Sequence, residues 1–253
     1  MTTNGATPTN SFASQASSRT GLLRRCGEAV VALLFPPHCI ACGGIPQRLE
    51  VLCNRCAAEL PTIERPYCLR CQAPLDDPRH DLCSPCAGRA WGFDVARSLG
   101  PYASLWGALV RTLKFEREKA VARWLSGRLA RSLRSQDPFG RIDVITYVPM
   151  TRSARRARGF NQAAWLAKAT GKRLGIPVRR LLAKVRETPP QMRLPAKQRR
   201  RNLHGAFRVV SFVVGRVLLV DDILTTASTV EECAHALRSG GAEAVVVLTV
   251  ARA

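Results

Sequence analysis

The sequence predicts an α/β protein: a parallel sheet of strands and helices in alternation, preceded by a small cysteine-built module. Three observations carry that prediction. From residue 93 onward, short apolar strand patterns alternate with longer stretches of helical spacing. The run Val217–Val220 is four apolar residues that stop at two adjacent acids, Asp221 and Asp222, before a hydroxyl-rich turn and a helical pattern. Eight of the ten cysteines fall in four CxxC pairs between residues 39 and 86.

The cysteine module comes first in the chain. The pairs are Cys39/Cys42, Cys53/Cys56, Cys68/Cys71 and Cys83/Cys86. A CxxC turn offers two thiolates to one metal, and two such turns complete a tetrahedral four-thiolate site. The pairs also repeat: Cys39 to Cys68 is 29 residues, Cys53 to Cys83 is 30, and LCNRC at 52–56 is echoed by LCSPC at 82–86. A duplicated unit with one zinc per copy follows, Cys39, Cys42, Cys53 and Cys56 around one ion and Cys68, Cys71, Cys83 and Cys86 around the other. A cross-braced pairing of alternate knuckles and an iron–sulfur cluster use the same residues and stay open. Disulfides need an oxidising compartment. With all four positions taken by protein thiolates, each zinc is structural and has no open coordination position. The zinc-binding segment is read as residues 38–90, and the α/β part as 91–253.

Upstream, residues 1–20 are mostly Thr, Ser, Asn and Ala and read as a disordered tail. Residues 21–37 read as an amphipathic helix burying Leu22, Cys26, Ala29, Val30 and Leu33. Glu28 and the Pro36-Pro37 pair argue against an export signal there, and no apolar run is long enough to span a bilayer, so a cytoplasmic location is expected.

The 253 residues carry a formal charge of +21. That balance points to nucleic acid, an anionic surface or phosphorylated ligands as partners. The charge is uneven. Residues 39–86 hold five Lys/Arg against six Asp/Glu, while basic clusters occur at Arg152–Arg158, Arg179–Arg186 and Lys197–Arg201.

In the α/β part, Phe93–Tyr102 reads as a strand, Ser104–Arg134 as one long helical stretch, and Asp143–Pro149 as a second strand followed by a basic loop. A helix follows over Phe160–Leu174, then a strand or short helix within Ile176–Val185, and an irregular basic segment over 187–204. Ala206–Val210 and Val217–Val220 are strands, Val230–Arg238 is a helix and Ala244–Val250 is the last strand.

The acid pair and the turn after it are the candidate ligand site. Ligands of open α/β sheets sit at the carboxyl ends of the strands. The turn offers backbone N–H groups and the hydroxyls of Thr225, Thr226, Ser228 and Thr229 to a phosphate. Asp221 and Asp222 can accept from neighbouring sugar hydroxyls, which together describes a ribose 5-phosphate. The run VLLVDDILTTAST (217–229) resembles the phosphoribosyl-pyrophosphate (PRPP) loop of type I phosphoribosyltransferases, with Ala227 where that family has Gly. If Ala227 takes a positive φ, the substitution costs on the order of 1–2 kcal/mol; at negative φ it is harmless. Arg158, ahead of GFNQ, is the anion-binding candidate in the Arg152–Arg158 cluster. Residues 187–204 resemble the hood of such transferases, with Gln191, Arg199, Arg200, Arg201 and Asn202 placed to close over a ligand or hold a strand.

Taken together, LLFPPHCIAC (33–42), the four knuckles, LKF (113–115), VPMTRSARRARGFNQA (148–163), RETPPQ (186–191), RRRNLHGAF (199–207) and the acid loop resemble the ComF family over about residues 22–251. The resemblance implies a double zinc ribbon joined to a phosphoribosyltransferase-like domain. It also implies a cytoplasmic protein of DNA uptake in competent bacteria, with single-stranded DNA and proteins of the uptake machinery as partners. A ligand-binding protein is the leading expectation. The alternatives are an active transferase using PRPP with Mg²⁺, and a zinc-ribbon scaffold with a vestigial transferase domain.

Overall fold

A computed structural model describes residues 38–47, 50–115, 119–135, 137–187 and 203–253. The N-terminal tail, the helix expected over 21–37 and the hood residues Gln191, Arg199, Arg200, Arg201 and Asn202 lie outside the described residues. The chain divides at Asn54/Arg55 into two compact units.

The larger unit is built on a four-stranded sheet of order β1-β6-β5-β2, with every pairing parallel. Its strands are β1 (Val95–Pro101), β2 (Val144–Tyr147), β5 (Arg216–Leu224) and β6 (Ala244–Arg252). A separate antiparallel pair joins β3 (Leu182–Lys184) to β4 (Phe207–Val209). The near-continuous apolar runs of β5 and β6 are what a sheet buried on both faces requires. Val217, Leu218, Leu219 and Val220 all have 0% exposure, so neither face of β5 meets water.

Short helices α1 (Asn54–Ala58) and α2 (Ser84–Ala87) each contain the last cysteine of a ribbon. Helices α3 (Leu105–Phe115) and α4 (Lys119–Ser135) lie along the helical stretch expected over 104–134. The basic loop after β2 is instead a seven-residue helix, α5 (Arg152–Arg158). Thr151 caps its start by accepting from the Ala154 N–H, and Gly159 closes it in the left-handed region at φ 82°. Helix α6 (Gln162–Leu174) has Asn161 as N-cap, accepting from the Ala164 N–H, and Gly175 at φ 70° as C-cap. Helix α7 (Ser228–Ser239) follows the acid loop.

One buried cluster unites β5 residues Val217 and Leu219 with α7 residues Val230, Cys233, Ala234 and Leu237 and with Cys68, Cys71 and Cys86 of the second ribbon. The second ribbon therefore shares the core of the sheet. One backbone and one side-chain bond stitch it there: Ala96 N–H donates to Arg70 C=O at 2.7 Å, and Arg97 Nη2 to Leu69 C=O at 2.9 Å. Cys233 is a fully buried filler, as its helical position predicts. Among the described residues, no helix is long and apolar enough to cross a membrane.

Candidate functional site

The eight knuckle cysteines form two clusters. The sulfurs of Cys39, Cys42, Cys53 and Cys56 lie within 4.8 Å of one another, and so do those of Cys68, Cys71, Cys83 and Cys86. That is the sequential pairing, not the cross-braced one. The repeat extends to the backbone. Cys39 N–H donates to Gly44 C=O and Gly43 N–H to Cys39 C=O, and 29 residues later Cys68 N–H donates to Ala73 C=O and Gln72 N–H to Cys68 C=O. Gly43 and Gln72 occupy the same left-handed position, at φ 71° and 59°. Gln72 is not a glycine, and its side chain is used: Oε1 accepts from Ser98 N–H at 2.6 Å, tying the knuckle to β1.

One thiol of each cluster is held below its ordinary range. Burial pushes Cys39 up, but hydrogen bonds from the Cys53, Cys42 and Ala41 backbone outweigh it and bring it to about 6. A hydrogen bond to Cys86 is the leading cause that brings Cys71 to about 5, and the charge of Arg252 adds to it. Cys86 is instead pushed up, chiefly by its hydrogen bond to Cys71, and Cys83 is pushed up chiefly by burial. Four sulfurs at that spacing are the donor set of a structural zinc.

At the sheet, β5 does not stop at the acids. It continues through Asp221 and Asp222 to Leu224, with Asp221 paired to Thr249 and Leu224 to Arg252. Adjacent strand residues point to opposite faces, so the two carboxylates have different surroundings. Asp222 Oδ2 lies 3.0 Å from Lys114 Nζ of α3 and accepts from Gln162 Nε2 of α6 at 2.9 Å. Gln162 in turn accepts from Arg158 Nη1 at 3.2 Å. Asp221 instead accepts from the Asp222 backbone N–H at 2.9 Å. Burial, and then the neighbouring charge of Asp222, push its carboxyl well above the usual range. The acid pair therefore presents one ion-paired carboxylate and one carboxyl whose hold on its proton is raised.

The turn after β5 places Thr225, Thr226, Ala227 and Ser228 around the start of α7, with Thr229 in its first turn. Ala227 is the N-cap residue, at φ 60° and ψ 1°, and has no side-chain acceptor for the helix. The first N–H groups of a helix have no intrahelical partner, so here they face outward as donors for an anion. Thr226 and Ser228 hydroxyls lie 2.9 Å apart beside them. The positive φ settles the role of Ala227: it occupies the glycine conformation with a side chain.

Two cavities adjoin these residues. One, of about 290 Å³, is lined by Thr225, Thr226, Ala227 and Ser228 on one side and by Cys71, Cys83, Cys86, Trp91 and Arg252 on the other. The second ribbon thus forms a wall of the pocket at the Thr225–Ser228 turn. Arg252 Nε and Nη1 are buried there without a hydrogen-bond partner, while Nη2 lies 4.0 Å from Cys71 Sγ. The other cavity, of about 370 Å³, brings Lys114, Met150, Ala154 and Arg158 together. Arg158 is thereby the one arginine of its cluster drawn into the site, while Arg155 and Arg156 are exposed. Phe160 is buried and His204 is an exposed residue 3.8 Å from Glu232, neither of them at the acid pair.

Sequence reasoning missed Lys114, Gln162, Trp91 and Arg252 as site residues. Lys114 and Gln162 stood inside quoted motifs, LKF and GFNQ, but nothing local connects either to Asp222. It also missed Glu231 of α7, which is 4% exposed and accepts from Gly92 N–H at 3.0 Å. His235 Nε2 lies 3.0 Å from its other oxygen, so Glu231 fastens α7 to the segment leaving the second ribbon.

Comparison with known proteins adds the following. Residues 30–89 match the double zinc ribbon domain family. Competence protein F of Haemophilus influenzae is 30% identical over 87% of this chain and 98% of its own length. DNA utilization protein YhgH of Escherichia coli is 31% identical over 79% of this chain and 90% of its own. Among solved structures, adenine phosphoribosyltransferase from Leishmania tarentolae aligns with 54% of this chain and 59% of its own, at 16% identity and a TM-score of 0.35.

Proposed function

Because the chain belongs to the ComF family, with Competence protein F and DNA utilization protein YhgH as relatives, we propose that it is a competence-associated protein that binds a phosphoribosyl ligand and single-stranded DNA. The observation that carries the ligand half is the start of α7: open helix N–H donors, the Thr226 and Ser228 hydroxyls and the Asp222 network converge at the strand ends. A 5-phosphate fits the loop Thr225–Thr229, and ribose hydroxyls fit Asp222 and Asp221. Arg158 and Lys114 suit a pyrophosphate group, and the hood residues Gln191, Arg199, Arg200, Arg201 and Asn202 suit a cover over it. The charge of +21 supports the DNA half. Cytoplasmic residence and contact with DNA-uptake proteins complete the reading. Two structural Zn²⁺ hold the ribbons.

The test is the thermal shift of the zinc-loaded full chain with PRPP, with and without Mg²⁺. A ligand at a hundred times its Kd stabilises by about 2.7 kcal/mol, so a shift of several degrees is expected. No shift at millimolar PRPP overturns the ligand half and favours a vestigial domain carried by a ribbon scaffold.

An active transferase is the second reading. It is favoured by the cavity in which Lys114 and Arg158 meet next to Asp222, a place where pyrophosphate would leave, with Mg²⁺ accompanying PRPP. Against it stand the αL alanine at 227 and the ion pair that already occupies Asp222. A screen of bases for PRPP-dependent pyrophosphate release decides. Turnover that vanishes in Asp222→Asn establishes the enzyme.

A further inference from the structure

We propose that the groove between α4 and α6 is a track for single-stranded nucleic acid, an inference that rests on the DNA half of the reading above and gives it a location. The groove, of about 650 Å³, is lined by Lys119 and Arg123 from α4 and by Trp165, Lys168, Lys172 and Arg173 from α6. None of these residues belongs to the acid loop or to the basic clusters around Arg158 and Arg199.

Helical spacing puts the cations in rows. Lys119 and Arg123 are four residues apart, as are Lys168 and Lys172, and such pairs share a helix face. Arg173 acts as a strut across the gap: Nε donates to Ser126 Oγ and Nη2 to Arg123 C=O, both at 3.1 Å. The other four cations are exposed, and among the described residues none of them pairs with a carboxylate. Among the described residues, no acidic side chain lines the groove.

The aromatic residue decides what kind of polyanion fits. One face of the Trp165 indole is stacked on Phe160, with ring centroids 4.3 Å apart and planes at 24°. Phe160 is buried, so the indole is held in place while remaining partly exposed in the groove. A rigid, partly exposed ring lining the same groove as two rows of cations is the arrangement on which an unpaired base stacks while its backbone tracks the charges. A duplex has no free base face to offer, and a flat bilayer does not enter a groove. A merely solvated basic face would need neither concavity nor an aromatic residue set into it.

The experiment uses the zinc-loaded full chain and a fluorescein-labelled oligothymidylate, followed by anisotropy across a salt series. Lys168→Gln/Lys172→Gln should lower the slope of log K against log salt by about 1.4, at roughly 0.7 per lost phosphate contact on a single strand. Trp165→Leu should weaken binding about tenfold, and Trp165→Tyr should restore most of it. The PRPP-induced thermal shift should be unchanged in the lysine variant, which shows that the phosphate loop and the fold are intact. Oligothymidylate binding that ignores all of these changes overturns the groove and leaves the DNA reading standing. Absence of binding at low salt overturns both. Equal competition by duplex DNA overturns the stacking role. Binding to phosphatidylserine vesicles that needs Lys168 and Lys172, while oligothymidylate binding does not, reassigns the groove to a membrane surface.

Discussion

Replacing Lys114 with Met isolates the pair at the centre of the site. Met keeps the length and apolar stem of the side chain and removes the ammonium group. In the native structure Nζ stands 3.0 Å from Asp222 Oδ2, and the side chains are 21% and 7% exposed. At an effective dielectric constant near 20, unit charges at that distance attract by about 5.5 kcal/mol. Residual solvent at Lys114 reduces this, and breaking a buried pair by removing one partner typically costs about 3–5 kcal/mol. The expected loss for Lys114→Met is therefore about 3 kcal/mol, at the low end because of that exposure. For a domain of this size it corresponds to a fall in Tm of roughly 6–12 °C. Gln162 still donates to the carboxylate, but a neutral donor does not replace the charge. The second variant is Lys114→Met/Asp222→Asn. If the cost comes from leaving a carboxylate unpaired, removing that charge recovers most of the loss. Thermal unfolding by circular dichroism, at fixed zinc and protein concentration, reads both. A single variant within about 2 °C of wild type, or a double variant no more stable than the single, refutes the reasoning.

Ala227→Gly relieves a left-handed alanine worth about 1–2 kcal/mol, but adds about 0.4–1 kcal/mol of unfolded-chain entropy and loses a buried methyl worth about 0.8 kcal/mol. Its stability should stay within about 1 kcal/mol of wild type in a denaturant titration, and a change beyond about 2 kcal/mol contradicts that balance. Asp221→Asn should be more stable than wild type at pH 8, with the advantage shrinking as pH falls. A folded pKa raised by burial makes the Asp221 contribution complete below its unfolded value of about 3.9 and lost as pH rises through the folded value. Melting curves from about pH 6 to about pH 9 check the sign, and an advantage that grows toward acid would reverse the assignment. Cys53→Ser should release one of two zinc ions and leave the second cluster loaded, as counted by native mass spectrometry. Cys83→Ser should also lower the Tm of the sheet, because Cys68, Cys71 and Cys86 lie in its core; an unchanged melt would contradict the shared core.

What the sequence revealed and what it hid divide along physical lines. Local signals were legible: the knuckle spacing, the apolar runs of β5 and β6, and the hydroxyl turn before α7 all depend on near neighbours. Helix α5 was legible too and was missed, since Thr151 and Gly159 flank it as N-cap and C-cap. The extension of β5 through its acids was hidden because two carboxylates in a strand read as its end. Nothing in an alanine announces a positive φ, so the conformation of Ala227 needed the structure. Long-range partners were beyond reach. Lys114 meets Asp222, and Gly92 meets Glu231, only because the sheet order brings distant segments together. The groove cations, taken singly, look like ordinary solvated helix faces. Only the packing of α4 against α6 makes them a channel.

The order β1-β6-β5-β2 has a consequence for the birth of the molecule on the ribosome. Among the described residues, strand β1 is the first of the six to leave the exit tunnel, yet its one sheet neighbour is β6, the last. Until β6 emerges, β1 lacks its parallel partner, and the second ribbon, bonded to it through Ala96 and Arg97, has no finished sheet behind it. The knuckles can take up metal early, since their ligands are close in sequence, so a loaded ribbon would wait on the nascent chain holding β1 for more than a hundred residues of synthesis. Sheet closure then comes at the end and sets Arg252 against Cys71, so that the pocket at the Thr225–Ser228 turn gains its far wall in the final step of assembly.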